Sequence, residues 1–378
     1  MAEADANDTQ DSNNNTPAVP SKRVLGWVKL IQWMLVISGL LMLLAGLGTS
    51  ISIWHWSQAP IAGSAAGVEN HVENPNEQRV RIEILPGQSA QRTARELANL
   101  HVLQRPDWFV WWLRWQDQAH LIRAGEYDIN PQWTPLQLRD ALLAGANVRH
   151  PFTIVPGETL TQVRQKIREL DNVRQTLSDE AWLTLGDRWA ELGVTPFLEG
   201  WLLPETYFYQ AGESDWQLVE RAVLAMVATL NQAWLASNEG QGLPLKSPYE
   251  ALILASIIEK ETGVAHEREM ISGVFIRRLE RNMRLQTDPT VIYGMGDAYQ
   301  GRIGRAGLDT PTPYNTYIIR GLPPTPIAMP SAAAVMATVN PDQRDYLFFV
   351  AKGGGAHHFS VTLEEHNRAV RRYILNRN

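Results

Sequence analysis

The stretch Pro248-Tyr-Glu-Ala-Leu-Ile-Leu-Ala-Ser-Ile-Ile-Glu-Lys-Glu-Thr262 decides how the larger half of the chain is built. Ala251, Leu252, Ile253, Leu254, Ala255, Ile257 and Ile258 make it apolar nearly all round, which predicts a helix running inside a domain. Pro248 opens it, at a position where a missing N–H is no loss. Such a helix delivers Glu259-Lys260-Glu261-Thr262 at its C-terminal end. There the negative pole of the helix dipole and an apolar surround both disfavour an ionised carboxyl and raise its pKa. A carboxyl that stays protonated near neutrality is what general acid catalysis requires. Glu259 and Glu261 lie about 200° apart around the helix, so they cannot share one cleft, and periodicity does not choose between them. A solvated helix end with locally paired charges is the plainer reading of the same residues.

Downstream, Gln286-Thr287-Asp288-Pro289 sets an amide, a hydroxyl and a carboxylate before a proline turn, a group suited to the N-acetyl and hydroxyl functions of a sugar. An Asx-type turn with Asp288 capping the next helix explains it structurally. Tyr314, Asn315 and Tyr317 combine ring faces with an amide, as a glycan cleft would, and packing accounts for each singly. His357, His358 and His366 match no metal-binding helix signature such as H-E-x-x-H, so no metal is expected. Gly294-Met-Gly296 and Gly301, Gly304 and Gly307 lack the β-α-β context and the lysine of a phosphate loop, which sets nucleotide cofactors aside. Upstream, apolar positions recur at helical spacing from Asp215 to Ala236, and Leu198 to Tyr207 reads as a structured loop.

The N-terminal half has its own pattern. Arg81-Ile-Glu-Ile-Leu-Pro-Gly-Gln-Ser89 reads as a strand, a Pro-Gly turn and a helix capped by Ser89, and Phe152-Thr-Ile-Val-Pro-Gly-Glu-Thr159 repeats it. The unit is a common local solution, and it also looks like the start of a glycan-binding LysM module. Between the copies, Trp108, Trp111, Trp112 and Trp115 fall on one helical face; aromatics stack on sugars, but a stripe at this spacing reads first as core. Ala124 to Ile129 reads as a turn into a strand, and a helix with Pro135 in its first turn follows Thr134.

From Leu30 to Trp54 the chain carries no charge for 25 positions, enough to cross a hydrocarbon core of about 30 Å. It is longer than a signal-peptide core and sits behind a polar leader, so a retained membrane span is expected. Trp27 and Trp33 at one end and Trp54 and Trp56 at the other suit interfacial aromatic belts. Lys22, Arg23 and Lys29 precede the span and the next cation is Arg79, which predicts a cytoplasmic N-terminus with the rest outside. The expected organisation is a disordered cytoplasmic tail (1–29, its first 20 residues polar and small), a transmembrane helix (30–54), a linker (55–77), a small α+β module (78–150) and a larger mixed α+β domain (151–378). A net charge of -6 supplies no basic excess for nucleic acid, and the absence of cysteine excludes disulfides, thiolate nucleophiles and cysteine-based metal sites.

Four segments, Ala255-Ser-Ile-Ile-Glu-Lys-Glu-Thr262, Arg284-Leu-Gln-Thr-Asp-Pro-Thr-Val-Ile-Tyr-Gly294, Thr312-Pro-Tyr-Asn-Thr-Tyr317 and Gly321-Leu-Pro-Pro-Thr-Pro-Ile327, resemble the MltG (YceG-like) endolytic murein transglycosylases. The likeness spans nearly the whole chain and includes the closing His357-His-Phe359 and His366-Asn367. The longer acidic tail and Leu202-Leu203 before Pro204, in place of a more aromatic pair, depart from the pattern. The resemblance implies an α+β fold with an N-terminal transmembrane helix, a LysM-like glycan-binding module at 78–150 and a YceG-like catalytic domain at 151–378. It implies a lyase that cleaves the MurNAc-β-1,4-GlcNAc bond inside nascent peptidoglycan strands, leaves 1,6-anhydro-MurNAc ends and helps terminate strand elongation. It further implies no cofactor, a bacterial inner-membrane location with a periplasmic catalytic domain, and penicillin-binding proteins and other cell-wall synthesis enzymes as partners. By resemblance of Glu261-Thr262 to the Glu-Ser pair of other lytic transglycosylases, Glu261 is the catalytic group and Glu259 the runner-up. Gln286, Thr287, Asp288, Tyr314, Asn315 and Tyr317 are the expected substrate contacts. A glycan-binding scaffold without activity, and a hydrolase using Glu205 or Asp288 as second carboxylate, are the competing classes.

Overall fold

The computed structural model describes residues 22–61 and 79–375; the expected tail up to residue 21 and most of the linker lie outside them. The architecture is mixed α+β, with strands in two-stranded sheets and helices supplying the core. By its contacts the chain divides into two units.

The first unit contains α1 (Lys22–Gln58), α2 (Ala90–Asn99), α3 (Pro106–Trp115) and α4 (Pro135–Ala144). Within α1, Leu30–Gln58 is long and apolar enough to cross a membrane, and its side chains are exposed from Leu30 to Ile51. The helix begins inside the expected tail and runs four residues into the expected linker at 55–77. Trp56 packs edge-on against Trp108 and Trp112, with centroids 6.1 and 6.0 Å apart. Ile61 is buried, its N–H donating to the Trp133 carbonyl at 2.7 Å. These contacts order the segment through Ile61, inside the expected linker. Ser89 caps α2 by accepting from the Arg92 N–H, as its position predicts. On α3 the expectation of a core tryptophan stripe fails. Phe109, Val110, Trp112 and Leu113 are buried, whereas Trp108, Trp111 and Trp115 are exposed. Apart from the charged edge of Asp107 and Arg114 the helix is apolar around most of its circumference, so the tryptophan spacing alone did not say which apolar side faces in.

Strand β1 (Val80–Ile84) pairs with β2 (Gly125–Ile129). The second unit takes in Gly145–Asn378 with the short pieces Glu83–Gly87 and Arg123–Asp128, a division that cuts across the expected boundary at 150. Its antiparallel strand pairs are β3 (His150–Thr153) with β4 (Thr206–Tyr209), which are far apart in sequence, and the hairpin of β5 (Phe348–Gly353) with β6 (Ala356–Ser360), which sets Ala351 opposite His357. Its helices are α5 (Leu160–Arg168), α6 (Asp215–Ala236), α7 (Pro248–Glu261), α8 (Arg268–Glu280), α9 (Asp288–Met295), α10 (Arg305–Asp309), α11 (Ala332–Val339) and α12 (Leu363–Val370).

The α7 helix is the axis of this unit. Ser247 caps it by accepting from the Glu250 N–H, and every residue from Ala251 to Ile258 is buried among α6, α8, α9 and α11. Truncating a fully buried member such as Leu254 to Ala costs about 2–5 kcal/mol. Ser256, the polar residue in that run, is satisfied: it donates to the Ile253 carbonyl at 2.7 Å and accepts from the Ile327 N–H at 3.0 Å. The helix stops where Thr262 turns extended, at φ -142° and ψ 133°. Both Pro-Gly turns place their glycine at positive φ, +79° at Gly87 and +83° at Gly157, so the repeat is one backbone solution used twice.

Candidate active site

Past Ile258 each side chain of the helix terminus serves a different element. Glu259 turns to α11, where its Oε2 accepts the Ser331 N–H at 3.0 Å and the Ser331 hydroxyl, and Arg268 stands 3.8 Å from its other oxygen. Ser331 in turn caps α11 through the Ala334 N–H. Lys260 donates to the Gly157 carbonyl at 3.1 Å, pinning the second Pro-Gly turn. Thr262 is buried and accepts from the Val264 N–H at 3.0 Å. That leaves Glu261, which accepts a hydrogen bond from the Thr287 hydroxyl. The ~200° separation predicted for the two glutamates thus sends one into a helix cap and the other towards the 286–288 segment.

Glu261 keeps some solvent contact while protein atoms crowd its carboxyl. Burial, the largest influence, pushes its pKa up to about 6; the Thr287 hydroxyl, His357 and Arg278 act downwards and the Asp288 carboxylate acts upwards. The group is therefore poised to exchange a proton near neutral pH. Thr287 stands at the N-cap position of α9, but its hydroxyl goes to Glu261 and makes no cap bond. Its N–H is held by the Thr316 hydroxyl at 3.0 Å, and Thr316 also bonds Thr290 at 2.9 Å. These threonines are buried, so the donor facing Glu261 is fixed from behind. Gln286, at φ +52°, occupies a left-handed backbone position and leaves its side chain exposed. Asp288 is exposed and accepts the Tyr317 hydroxyl at 2.6 Å. Burial and that bond push the Tyr317 phenol up, keeping it a donor.

Two of the expected substrate contacts are engaged inside the protein. Asn315 is fully buried; its amide donates to the carbonyls of Leu308 at 2.9 Å and Thr310 at 2.8 Å, and its oxygen accepts from the Tyr317 N–H at 3.0 Å. It holds the loop that carries Tyr317 and has no group left for a sugar. Tyr314 packs its ring on Tyr293 and shares its hydroxyl with Thr325 at 2.8 Å. Thr287 reaches the site through Glu261 rather than by exposure. Glu261, Gln286, Asp288 and Tyr317 remain as the groups open to a ligand. Glu205 is exposed on the approach to β4, and among the described residues its side chain makes no hydrogen bond to this group.

Sequence reasoning missed three supporting groups. Arg278 is buried on α8, donates to the carbonyls of Leu347 at 2.8 Å and Leu285 at 2.7 Å, and brings its charge near Glu261. Glu267, 1% exposed, accepts the His357 N–H at 2.9 Å and bonds its Nδ1 at 2.8 Å. Burial works to raise Glu267, and the bonds from His357 outweigh it, so its pKa lies below the ordinary range. Glu199 is buried within the 198–207 loop, accepts from the Leu160 N–H and the Tyr293 hydroxyl, each at 3.0 Å, and is pushed up to about 7 chiefly by burial. A lone carboxylate between Leu198 and Gly200-Trp201 was the available signal for it. Among the described residues no three His, Asp or Glu side chains gather as a metal site; His358 and His366 lie against the rings of Tyr373 and Phe348.

Comparison with known proteins adds a family to this geometry. An endolytic murein transglycosylase of Bacillus subtilis is 29% identical over 322 residues, covering 81% of this chain and 88% of the relative. Endolytic murein transglycosylases from two Streptococcus pneumoniae strains are 26% identical over 331 residues, and the match spans 78% of this chain but 58% of theirs. The crystal structure of a YceG-like protein from Listeria monocytogenes superposes with a TM-score of 0.50 at 28% identity, covering 77% of this chain and 99% of that one. The YceG-like family itself matches residues 82–372, which takes in Glu261 and every group arranged around it, and the chain belongs to that family.

Proposed function

We propose that this chain is a membrane-anchored lytic transglycosylase that cuts peptidoglycan strands internally at the MurNAc-β-1,4-GlcNAc bond, with Glu261 as its catalytic acid and base. The observation that carries the reading is a carboxyl raised to about 6, at the end of a buried helix, with a fixed hydroxyl donor on it. Protonated Glu261 gives its proton to the glycosidic oxygen as the C1–O bond breaks. The resulting carboxylate then takes the proton of the MurNAc 6-hydroxyl, whose oxygen closes on C1 to form the 1,6-anhydro ring. Proton and leaving group balance without water, so one carboxyl suffices, in contrast to ordinary glycosidases. Gln286, Asp288 and Tyr317 contact the sugars on either side of the bond, and Asn315 and Tyr314 support them.

Under this reading α1 crosses the bacterial cytoplasmic membrane once, with the catalytic unit outside. Residues 78–150 form a LysM-like module that holds the strand, and the cuts end elongation beside penicillin-binding proteins and other strand-synthesis enzymes. Relatives bearing the transglycosylase name support the activity. Hydrolysis is the second reading, because the Asp288 carboxylate acts directly on Glu261.

The test digests long uncrosslinked glycan strands with the full chain and follows fragment size and end groups by mass spectrometry. Internal fragments with anhydro ends, lost in Glu261→Gln and retained in folded Glu259→Gln, are expected. Loss in Glu259→Gln alone reverses the assignment, reducing ends select hydrolysis, and binding without cleavage leaves a scaffold.

A further inference from the structure

The tryptophan face of α3 serves no step of the proposed chemistry. Trp108, Trp111 and Trp115 are 40%, 54% and 69% exposed, and the rings of Trp111 and Trp115 stack with centroids 6.0 Å apart and planes 7° from parallel. They form a flat apolar plate towards solvent, which is unfavourable unless something covers it. By helical angle Trp108, Trp111, Trp112 and Trp115 fall within about 100° of one another. Trp56 packs against the Trp108 and Trp112 edge of that arc, two residues beyond the exposed Trp54 on the apolar helix. The plate thus continues the aromatic end of α1. No slack separates them: Ile61, three residues past the helix end, donates to Trp133 and its carbonyl accepts the Gln104 N–H at 3.2 Å.

Tryptophan rings, apolar in body and polar at the N–H, settle at the headgroup level of a bilayer. Arg105, whose guanidinium lies 4.6 Å over the Trp108 ring, and Arg114 balance Asp107, so this segment carries no acidic excess to repel lipid headgroups. We infer that the exposed tryptophan face of α3 lies in the headgroup layer of the same bilayer that α1 crosses, holding the first unit flat against the membrane. The inference rests on reading α1 as a membrane anchor.

The full chain has no cysteine, so single labels are unambiguous. Trp54→Cys, Trp115→Cys and, at an exposed α6 position, Gln232→Cys are each labelled with an environment-sensitive fluorophore and reconstituted in phosphatidylethanolamine and phosphatidylglycerol vesicles. All three sites are exposed, so replacement leaves the core intact. Labels at 54 and 115 are expected to shift to the blue and be quenched by lipids spin-labelled near the headgroup, while the label at 232 is quenched by aqueous iodide. A label at 115 as open to iodide as that at 232, with 54 still lipid-quenched, overturns the inference and leaves the anchor standing. Iodide quenching at 54 as well removes both. Shielding of 115 by added glycan strands, with no quenching by lipid, overturns the inference in favour of a sugar platform.

Discussion

Replacing Glu261 by Gln should make the catalytic unit more stable at neutral pH while abolishing its activity. The folded carboxyl is raised from 4.5 to about 6, chiefly by burial. About a unit or more below pH 4.5 it is protonated in folded and unfolded chains alike, and Gln, of the same shape, is equivalent. As pH climbs through about 6 the unfolded chain has already released a proton that the folded chain still holds, so stability is lost. The loss levels off above the folded pKa at about 2 kcal/mol, taking 1.36 kcal/mol per pKa unit. Gln escapes it and still accepts the Thr287 hydroxyl through its carbonyl oxygen. For a unit of this size about 2 kcal/mol corresponds to roughly 4–8 °C in melting temperature. Scanning calorimetry of the wild type and Glu261→Gln at pH 3.5 and 7.5 makes the comparison on the transition of the catalytic unit. Coincident melting at pH 3.5 and a higher variant at pH 7.5 are expected. A difference independent of pH, or a less stable variant at pH 7.5, would refute the claim that burial raises this carboxyl.

The neighbours of Glu261 give further expectations. Thr287→Val removes a donor that favours the carboxylate; a bond of that kind is worth about 1.5–3 kcal/mol, so the alkaline limb of the kcat/KM profile should move up by roughly 1–2 pH units, and an unmoved limb in a folded variant contradicts the assigned bond. Glu259→Gln strips α11 of its carboxylate partner at Ser331 and should cost roughly 1–3 kcal/mol in denaturant unfolding while folded protein still cleaves. His357→Phe leaves the buried Glu267 without its two-bond partner's ring and takes away an influence that lowers Glu261. It should destabilise by roughly 1–3 kcal/mol and shift the alkaline limb upward, a shift that a purely structural role would not produce. Asn315→Ala should impair cleavage through the position of Tyr317, with hydrogen exchange rising in the 307–310 turn, where it holds the carbonyls of Leu308 and Thr310; unchanged exchange there would contradict its role in holding this loop.

What the sequence made legible was local. Apolar residues on every side of 251–258 announced a buried helix, and Ser89 announced the cap of α2, because both signals lie within a few residues of their effect. Periodicity could also separate Glu259 from Glu261. It could not say which way each turned, since that depends on Ser331 and Thr287, 72 and 26 residues away. The same limit explains Asn315, which looked like a sugar ligand by residue type until its partners were seen to be loop carbonyls and a neighbour's N–H. Trp108 to Trp115 misled for another reason. On a helix apolar except for the edge of Asp107 and Arg114, aromatic spacing defines a face without saying whether protein or something outside it covers that face. Glu267 and His357 come together only when β6 returns beside the turn after α7.

The central claim, that the bond is broken by internal ring closure at Glu261 rather than by water, is tested most directly by digesting glycan strands with the full chain in water enriched in oxygen-18. Closure by the MurNAc 6-hydroxyl predicts new ends that carry no label and weigh one water less than hydrolysis products, with none formed by Glu261→Gln. New ends bearing one oxygen-18 would contradict it and make Asp288, beside Glu261, the group that directs a water.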